Sequence, residues 1–188
     1  MKRGLILLAL VVAAQTLLLA GMVAKRQWTL ETGTPVLLKT EPVDPRSLFR
    51  GDYVNLNYEI DTLDPAALEG DDEFNRHDDI FVVLRRGTEF WEPVSIHHAR
   101  PQSVPEGTVA IRGEVRYSGS WIGAADRAGL SVGYGIENYF VPEGKGRELE
   151  AERNAGKVSI LVAVDKFGGS AIKAILVDGT VRHEEGLF

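Results

Sequence analysis

No cysteine occurs among the 188 residues. That excludes disulfides, thiolate metal sites and cysteine nucleophiles in one step. It leaves a place outside the cytoplasm open, because a chain this long buries a core without covalent staples. Basic charge is also short: 21 Lys and Arg face 27 Asp and Glu, for a net charge of −6. A surface of that sign repels nucleic acid phosphates, and no basic stripe offsets it. Nucleic acid is therefore not an expected partner. Glycine-rich phosphate cradles are missing too. Gly133-x-Gly135 and Gly144-x-Gly146 are single pairs that read as turns, so nucleotide chemistry is not suggested and no cofactor is expected. There is no internal repeat or low-complexity stretch.

Charge of either sign is absent from Leu5 to Ala24. As a helix at about 1.5 Å per residue, that run spans roughly 30 Å, the thickness of a bilayer's hydrocarbon core. An uncleaved membrane anchor over residues 1–24 is the expectation. The competing reading is a cleaved signal peptide, which shares the basic start at Lys2 and Arg3. The small-x-small cleavage pattern fits poorly, since Leu18 precedes Ala20 and Met22 precedes Ala24 by two positions. Lys2 and Arg3 favour an internal N-terminus, although Lys25 and Arg26 flank the far end. The expected location is thus the bacterial cytoplasmic membrane, single-pass, with the globular part on the periplasmic or extracellular side. Lys25–Thr34 reads as a linker, and residues 35–188 as a single β-rich domain.

Period-2 alternation dominates that body. Val54, Leu56, Tyr58 and Ile60 share one strand face, with Tyr53, Asn55, Asn57 and Glu59 on the other. Val109, Ile111, Gly113, Val115 and Tyr117 form a second apolar set, and Val158, Ile160, Val162 and Val164 a third. Ile80–Leu84 is an unbroken apolar run, as expected of a strand covered on both faces. Hairpins are expected at Arg86-Gly87-Thr88, at Asp165 to Ser170 and at Asp178-Gly179. Helix signals are few. Asp64-Pro65-Ala66-Ala67-Leu68, followed by Gly70, carries a cap and an N-terminal proline, and Gly146–Ala155 places Leu149 and Arg153 on one side. The predicted fold is mainly β, an antiparallel sandwich or barrel of about eight strands with two short helices plus the N-terminal transmembrane helix.

The run Gly51-Asp52-Tyr53-Val54-Asn55-Leu56-Asn57-Tyr58 resembles the Gly-Asp-Tyr-x-x-Leu-x-Tyr signature of the bacterial GDYXXLXY family. The approach Pro42 to Arg50 and the later segment Gly135 to Gly144 are similar to the family as well. The resemblance implies a membrane-associated bacterial protein, from a family whose biochemical role is uncharacterised. It brings no catalytic residues with it.

Read physically, the signature is a turn feeding a strand, and its main expected role is to set that turn and the strand's register. Gly51 can take a positive φ, and Asp52 can accept backbone hydrogen bonds or pair with Arg46 or Arg50. Tyr58 belongs with the core set and Tyr53 with the wetter face. The functional alternative is a polar ligand-binding pocket in which Arg46, Arg50, Asp52 and Tyr53 meet Glu137, Tyr139 and Glu143. Ser47 with Lys157, Lys166 or Lys173 lacks the spacing of a serine–lysine hydrolase. Asp71-Asp72-Glu73 and His77-Asp78-Asp79 form an acidic loop without the alternate oxygen ladder of a calcium site, and the adjacent His97 and His98 face opposite ways on a strand. No metal is expected. The leading expectation is a tethered binding or accessory module for another membrane or envelope protein, not an enzyme. An envelope hydrolase and a small-ligand binder are the alternatives.

Overall fold

A computed structural model describes residues 2–42, 53–120, 128–140, 149 and 152–184, with backbone alone for 2, 3, 53, 54, 120, 128 and 140. The chain opens with helix α1 (Lys2–Thr32). Within its stretch Gly4–Thr32, the most apolar window has a mean hydropathy of 2.5 with no part buried in the protein, so the helix is long and apolar enough to cross a membrane. A helix that is apolar all round suits lipid better than a half-wet core face.

The residues expected as a linker, Lys25–Thr34, are not a separate connector. α1 continues through Thr32, and strand β1 (Thr34–Glu41) begins one residue after Gly33. Between Lys25 and Gly33 there is no proline or glycine to stop the helix. Gln27 Nε2 donates to Glu31 Oε1 (2.8 Å) one turn on, and the Gly33 N–H donates to Thr29 O (2.9 Å) to close the last turn. Gly33 is required there because a Cβ would run into Thr29 O and lie 2.9 Å from Val164 N.

The eight longer strands are β1, β6 (Asp79–Arg86), β7 (Trp91–His97), β8 (Thr108–Ser120), β9 (Ala128–Gly133), β11 (Val158–Val164), β12 (Ser170–Val177) and β13 (Thr180–Glu184). Short pieces join them: β2 (Tyr53–Asn55), β3 (Asn57–Tyr58), β4 (Thr62–Leu63), β5 (Glu69–Gly70) and β10 (Asn138–Phe140). One sheet runs β13-β12-β11-β1-β3 and the other β4-β9-β8-β6-β7-β5, with a two-stranded β10-β2 ribbon beside them. Together they make a mainly β half-barrel, as the alternation predicted. Val36 and Leu38 of β1, Ile80 and Leu84 of β6, Ile111 of β8 and Ile160 of β11 meet in one apolar core.

Three local expectations are modified. Tyr53–Ile60 is not one strand: it breaks at Leu56 and ends in a 3₁₀ turn at Glu59–Asp61. Tyr117 leaves the apolar face of β8, because a bulge between Val115 and Tyr117 reverses the alternation and leaves it exposed. The capped segment after Asp64 winds only into a 3₁₀ turn, Pro65–Ala67, with Asp64 accepting from the Ala66 N–H (3.0 Å). The three expected hairpins form, with Gly168 at φ +88 and Asp178-Gly179 both at positive φ. Leu149 and residues 152–154 are helical, and Leu149 and Arg153 are both buried.

α1 is fastened to the half-barrel by one buried bond. Thr29 Oγ1 donates to Asp165 Oδ2 at 2.6 Å. Burial alone would raise the Asp165 pKa, but hydrogen bonds from Thr29 and from the Phe167 and Gly169 N–H groups, with the Lys25 charge, outweigh it and hold the carboxyl below its ordinary value. A depressed carboxyl stabilises the fold above its unfolded pKa, and that stability is lost as pH falls through the folded value. Thr29→Val should therefore cost about 1–2 kcal/mol at neutral pH. The deficit should shrink in acid, as read from denaturation of the detergent-solubilised chain at both pH values.

Candidate functional site

Chain segment 53–63 crosses from the edge of one sheet to the edge of the other. β3 pairs with β1 (Thr40↔Tyr58), and β4 pairs with β9 (Leu63↔Leu130). The 3₁₀ turn Glu59–Asp61 makes the step between them. Segment 134–140 runs alongside, and the two are clasped by reciprocal bonds. Tyr58 Oη donates to Ile136 O (2.7 Å), and Tyr134 Oη donates to Ile60 O (2.7 Å). The Leu56 N–H donates to Glu137 O (2.7 Å). Both phenols are buried, and burial first, then the charges of Asp61 and Glu137, push their pKa values well above the ordinary tyrosine value. They stay protonated as donors.

Two carboxyls lie inside the clasp. Glu137 is 6% exposed; its Oε1 accepts from the Tyr134 N–H (2.5 Å) and Gly135 N–H (3.1 Å), and its Oε2 pairs with Arg116 Nη2 (3.0 Å). Arg116 reaches it by lying over Gly133, where a Cβ would collide with the guanidinium. Asp61 accepts from the Tyr58 N–H through Oδ2 (2.8 Å), while its buried Oδ1 has no hydrogen-bond partner among the described residues. Burial is the main cause that raises the Asp61 pKa to about 7; the Tyr58 N–H opposes it, Glu137 adds to it and Arg116 opposes it. A carboxyl whose pKa lies near neutrality can take up or release a proton at physiological pH. Arg153 closes the far side, its guanidinium donating to Asn55 O.

Outside the clasp, an open groove of about 490 Å³ is lined by Lys39, Glu59, Thr62, Phe90, Trp91 and neighbouring residues. Ile60 and Thr62 border it, and Lys39 Nζ meets Glu59 Oε2 at 3.4 Å beside it.

Of the candidate pocket residues, Arg46, Arg50, Asp52 and Glu143 lie outside the described residues, as do Gly51 and Ser47. Tyr53 is described by its backbone: it stands opposite Phe140 in the β2–β10 ribbon, with Val54 opposite Tyr139 and Asn55 opposite Asn138. The signature and the later segment thus run side by side. Glu137 and Tyr139 are both buried, at 6% and 8% exposure. Sequence reasoning missed Asp61, Arg116 and Tyr134. Asp61 stands three residues past Tyr58, a spacing that suits a turn's capping box, but nothing local shows that it will be buried. Arg116 reads as an outward strand residue, and its partner depends on the β8–β9 pairing.

The acidic loop is taken up by structure. Asp71 accepts from the His98 N–H (2.8 Å), Asp78 from the Asn75 N–H (2.8 Å), and Asp79 binds Arg112 through both oxygens (2.8 and 2.9 Å). His98 stacks near Phe74, with ring centroids 4.2 Å apart.

Fold and site together define a half-barrel β domain with one membrane-length N-terminal helix and an internal tyrosine–carboxylate clasp. The family model described as GDYXXLXY protein matches residues 15–175, and the chain belongs to that family. No curated protein and no solved structure matches it.

Two measurements probe the clasp. A carboxyl with a raised folded pKa favours folding below its unfolded value of 3.8 and loses that contribution as pH rises through about 7. Asp61→Asn keeps an acceptor for the Tyr58 N–H, so it should raise the melting temperature at pH 8 and leave it nearly unchanged at pH 4. Equal shifts at both pH values would rule out an ionisable Asp61 in this window. Glu137→Ala strands two backbone donors and Arg116, and should cost on the order of 3 kcal/mol in denaturant unfolding.

Proposed function

We propose that this chain is a membrane-anchored module on the periplasmic or extracellular side of a bacterial cytoplasmic membrane, where it binds another membrane or envelope protein. The observation that carries the reading is the unbroken passage from an apolar α1 into β1, secured by Thr29 and Asp165. A helix joined this way holds its domain in a fixed stance beside the bilayer, which suits presentation of a surface to a neighbour. Lys2 and Arg3 before the apolar run favour an internal N-terminus. The surface offered is β13, which ends the five-stranded sheet, pairs only with β12 among the described residues, and is exposed except at His183. An open edge presents backbone donors and acceptors to a strand of another chain.

Two other readings have narrower support. The groove beside Trp91 has the size for a small ligand, with Lys39 and Glu59 as polar anchors. A hydrolase would draw on Asp61 and Glu137, but both Glu137 oxygens already hold structural partners. A photoreactive amino acid placed at Val181 in the full chain should give a discrete adduct with a second membrane or envelope protein when native membranes are illuminated. Illumination that yields no protein adduct from this position removes β13 as the binding surface.

A further inference from the structure

Phe167 is the most exposed aromatic side chain among the described residues, at 66%, and Trp28 follows at 60%. Both lie where α1 enters the half-barrel. β11 runs antiparallel to β1, and its end lies against the helix: Ala163 and Val164 sit beside Gly33, and Asp165 binds Thr29. Each step forward along β11 is thus a step back along α1, toward the apolar run. Lys25 acts on the Asp165 charge from one further turn down. Lys166 and Phe167 then occupy the tip of the hairpin turn, which the Gly168 N–H closes onto Asp165 O (3.0 Å).

Distances place that tip relative to the helix. From Thr29 to Ala24 the helix descends about 7–8 Å at its normal rise. Asp165 binds Thr29, and the turn residues Lys166 and Phe167 carry the hairpin tip up to about 7 Å beyond it. Phe167 therefore stands beyond Asp165 on the side of Lys25, toward the end of the apolar run. The tip is also fixed in place: the Arg112 N–H donates to Gly168 O (2.9 Å), and a Cβ at Gly168 would lie 3.1 Å from Arg112 and 3.2 Å from the Phe81 ring. An exposed phenylalanine on a braced turn is not a frayed loop.

We propose that the β11–β12 tip is a second membrane contact, with Phe167 seated at the boundary of headgroups and acyl chains in the bilayer that α1 crosses. The proposal rests on α1 being a retained membrane span. The chemistry suits that boundary. Lys166 holds its ammonium 5.0 Å from the Phe167 ring centroid, and Lys25 and Arg26 add basic charge on the same side in a chain that is acidic overall. An exposed Phe beside Lys and Arg buries its ring at the headgroup–acyl boundary, while anionic headgroups attract the cations. Trp28, exposed on the helix just above, belongs to the same belt. The domain would thereby stand on two points, helix and hairpin, instead of pivoting on one.

The lack of native cysteine allows a clean test. Single substitutions Phe167→Cys, Lys166→Cys, Val181→Cys and Ala14→Cys are labelled with an environment-sensitive fluorophore in the full chain, reconstituted into vesicles of zwitterionic and anionic lipid that carry a shallow spin-label quencher. Val181 stands opposite Leu176, at the end of the sheet away from the tip, and serves as the aqueous reference. The expected result is a blue-shifted emission and several-fold stronger quenching at positions 166 and 167 than at 181, with Lys166→Cys reporting while Phe167 is still in place. Blue-shifted emission at position 14 with water-like signals at 166 and 167 overturns the hairpin contact and leaves the anchor standing. Water-like signals at all four positions overturn the anchor and the hairpin contact together.

Discussion

The bonds between segments 53–63 and 134–140 are the constraint on which the half-barrel depends. A single stretch of chain has to leave the edge of one sheet and join the edge of the other within a few residues, and such a crossing leaves backbone groups without ladder partners. Tyr58 and Tyr134 meet this need reciprocally, each sending a buried hydroxyl to a carbonyl of the other's segment. Glu137 takes two of the N–H groups that the turn at Tyr134 and Gly135 would otherwise leave bare. Buried polar groups held this way rigidify a crossing that apolar packing alone would leave free to slide.

The clasp carries an electrostatic cost that defines its character. Glu137 is neutralised by Arg116, whose guanidinium lies across Gly133. Among the described residues Asp61 has no such cation in direct contact, and its second oxygen has no partner. Protonation relieves that strain, which is why its pKa rises toward neutrality. The same low dielectric that makes the clasp strong makes its one unbalanced carboxyl sensitive to pH.

The other junction, between α1 and the sheet, works by continuity. The helix does not end in a loose tether; it passes through Gly33 into β1, and Thr29 fixes the neighbouring hairpin. Membrane-length helix and β domain are thus mechanically one piece at their meeting point.

Much of this was legible in the order of residues. The uncharged run from Leu5 to Ala24 required a helix apolar on every side, and alternation placed Leu56, Tyr58, Ile111 and Ile160 in the core, because side-chain period is a local property of the backbone. The glycine and aspartate turns gave the hairpins for the same reason. The Tyr53–Ile60 strand was over-extended and the linker misread, since a break at Leu56 and a helix carried on to Thr32 depend on partners far along the chain. Burial of Asp61, the Arg116–Glu137 pair and the Thr29–Asp165 bond join residues up to 136 positions apart. Local pattern encodes which way a side chain points, whereas only the folded arrangement of strands decides which distant group it meets. For this protein the sequence by itself determined the membrane-length helix and the β character of the domain. Tertiary structure decided where the carboxylates and the exposed Phe167 would stand.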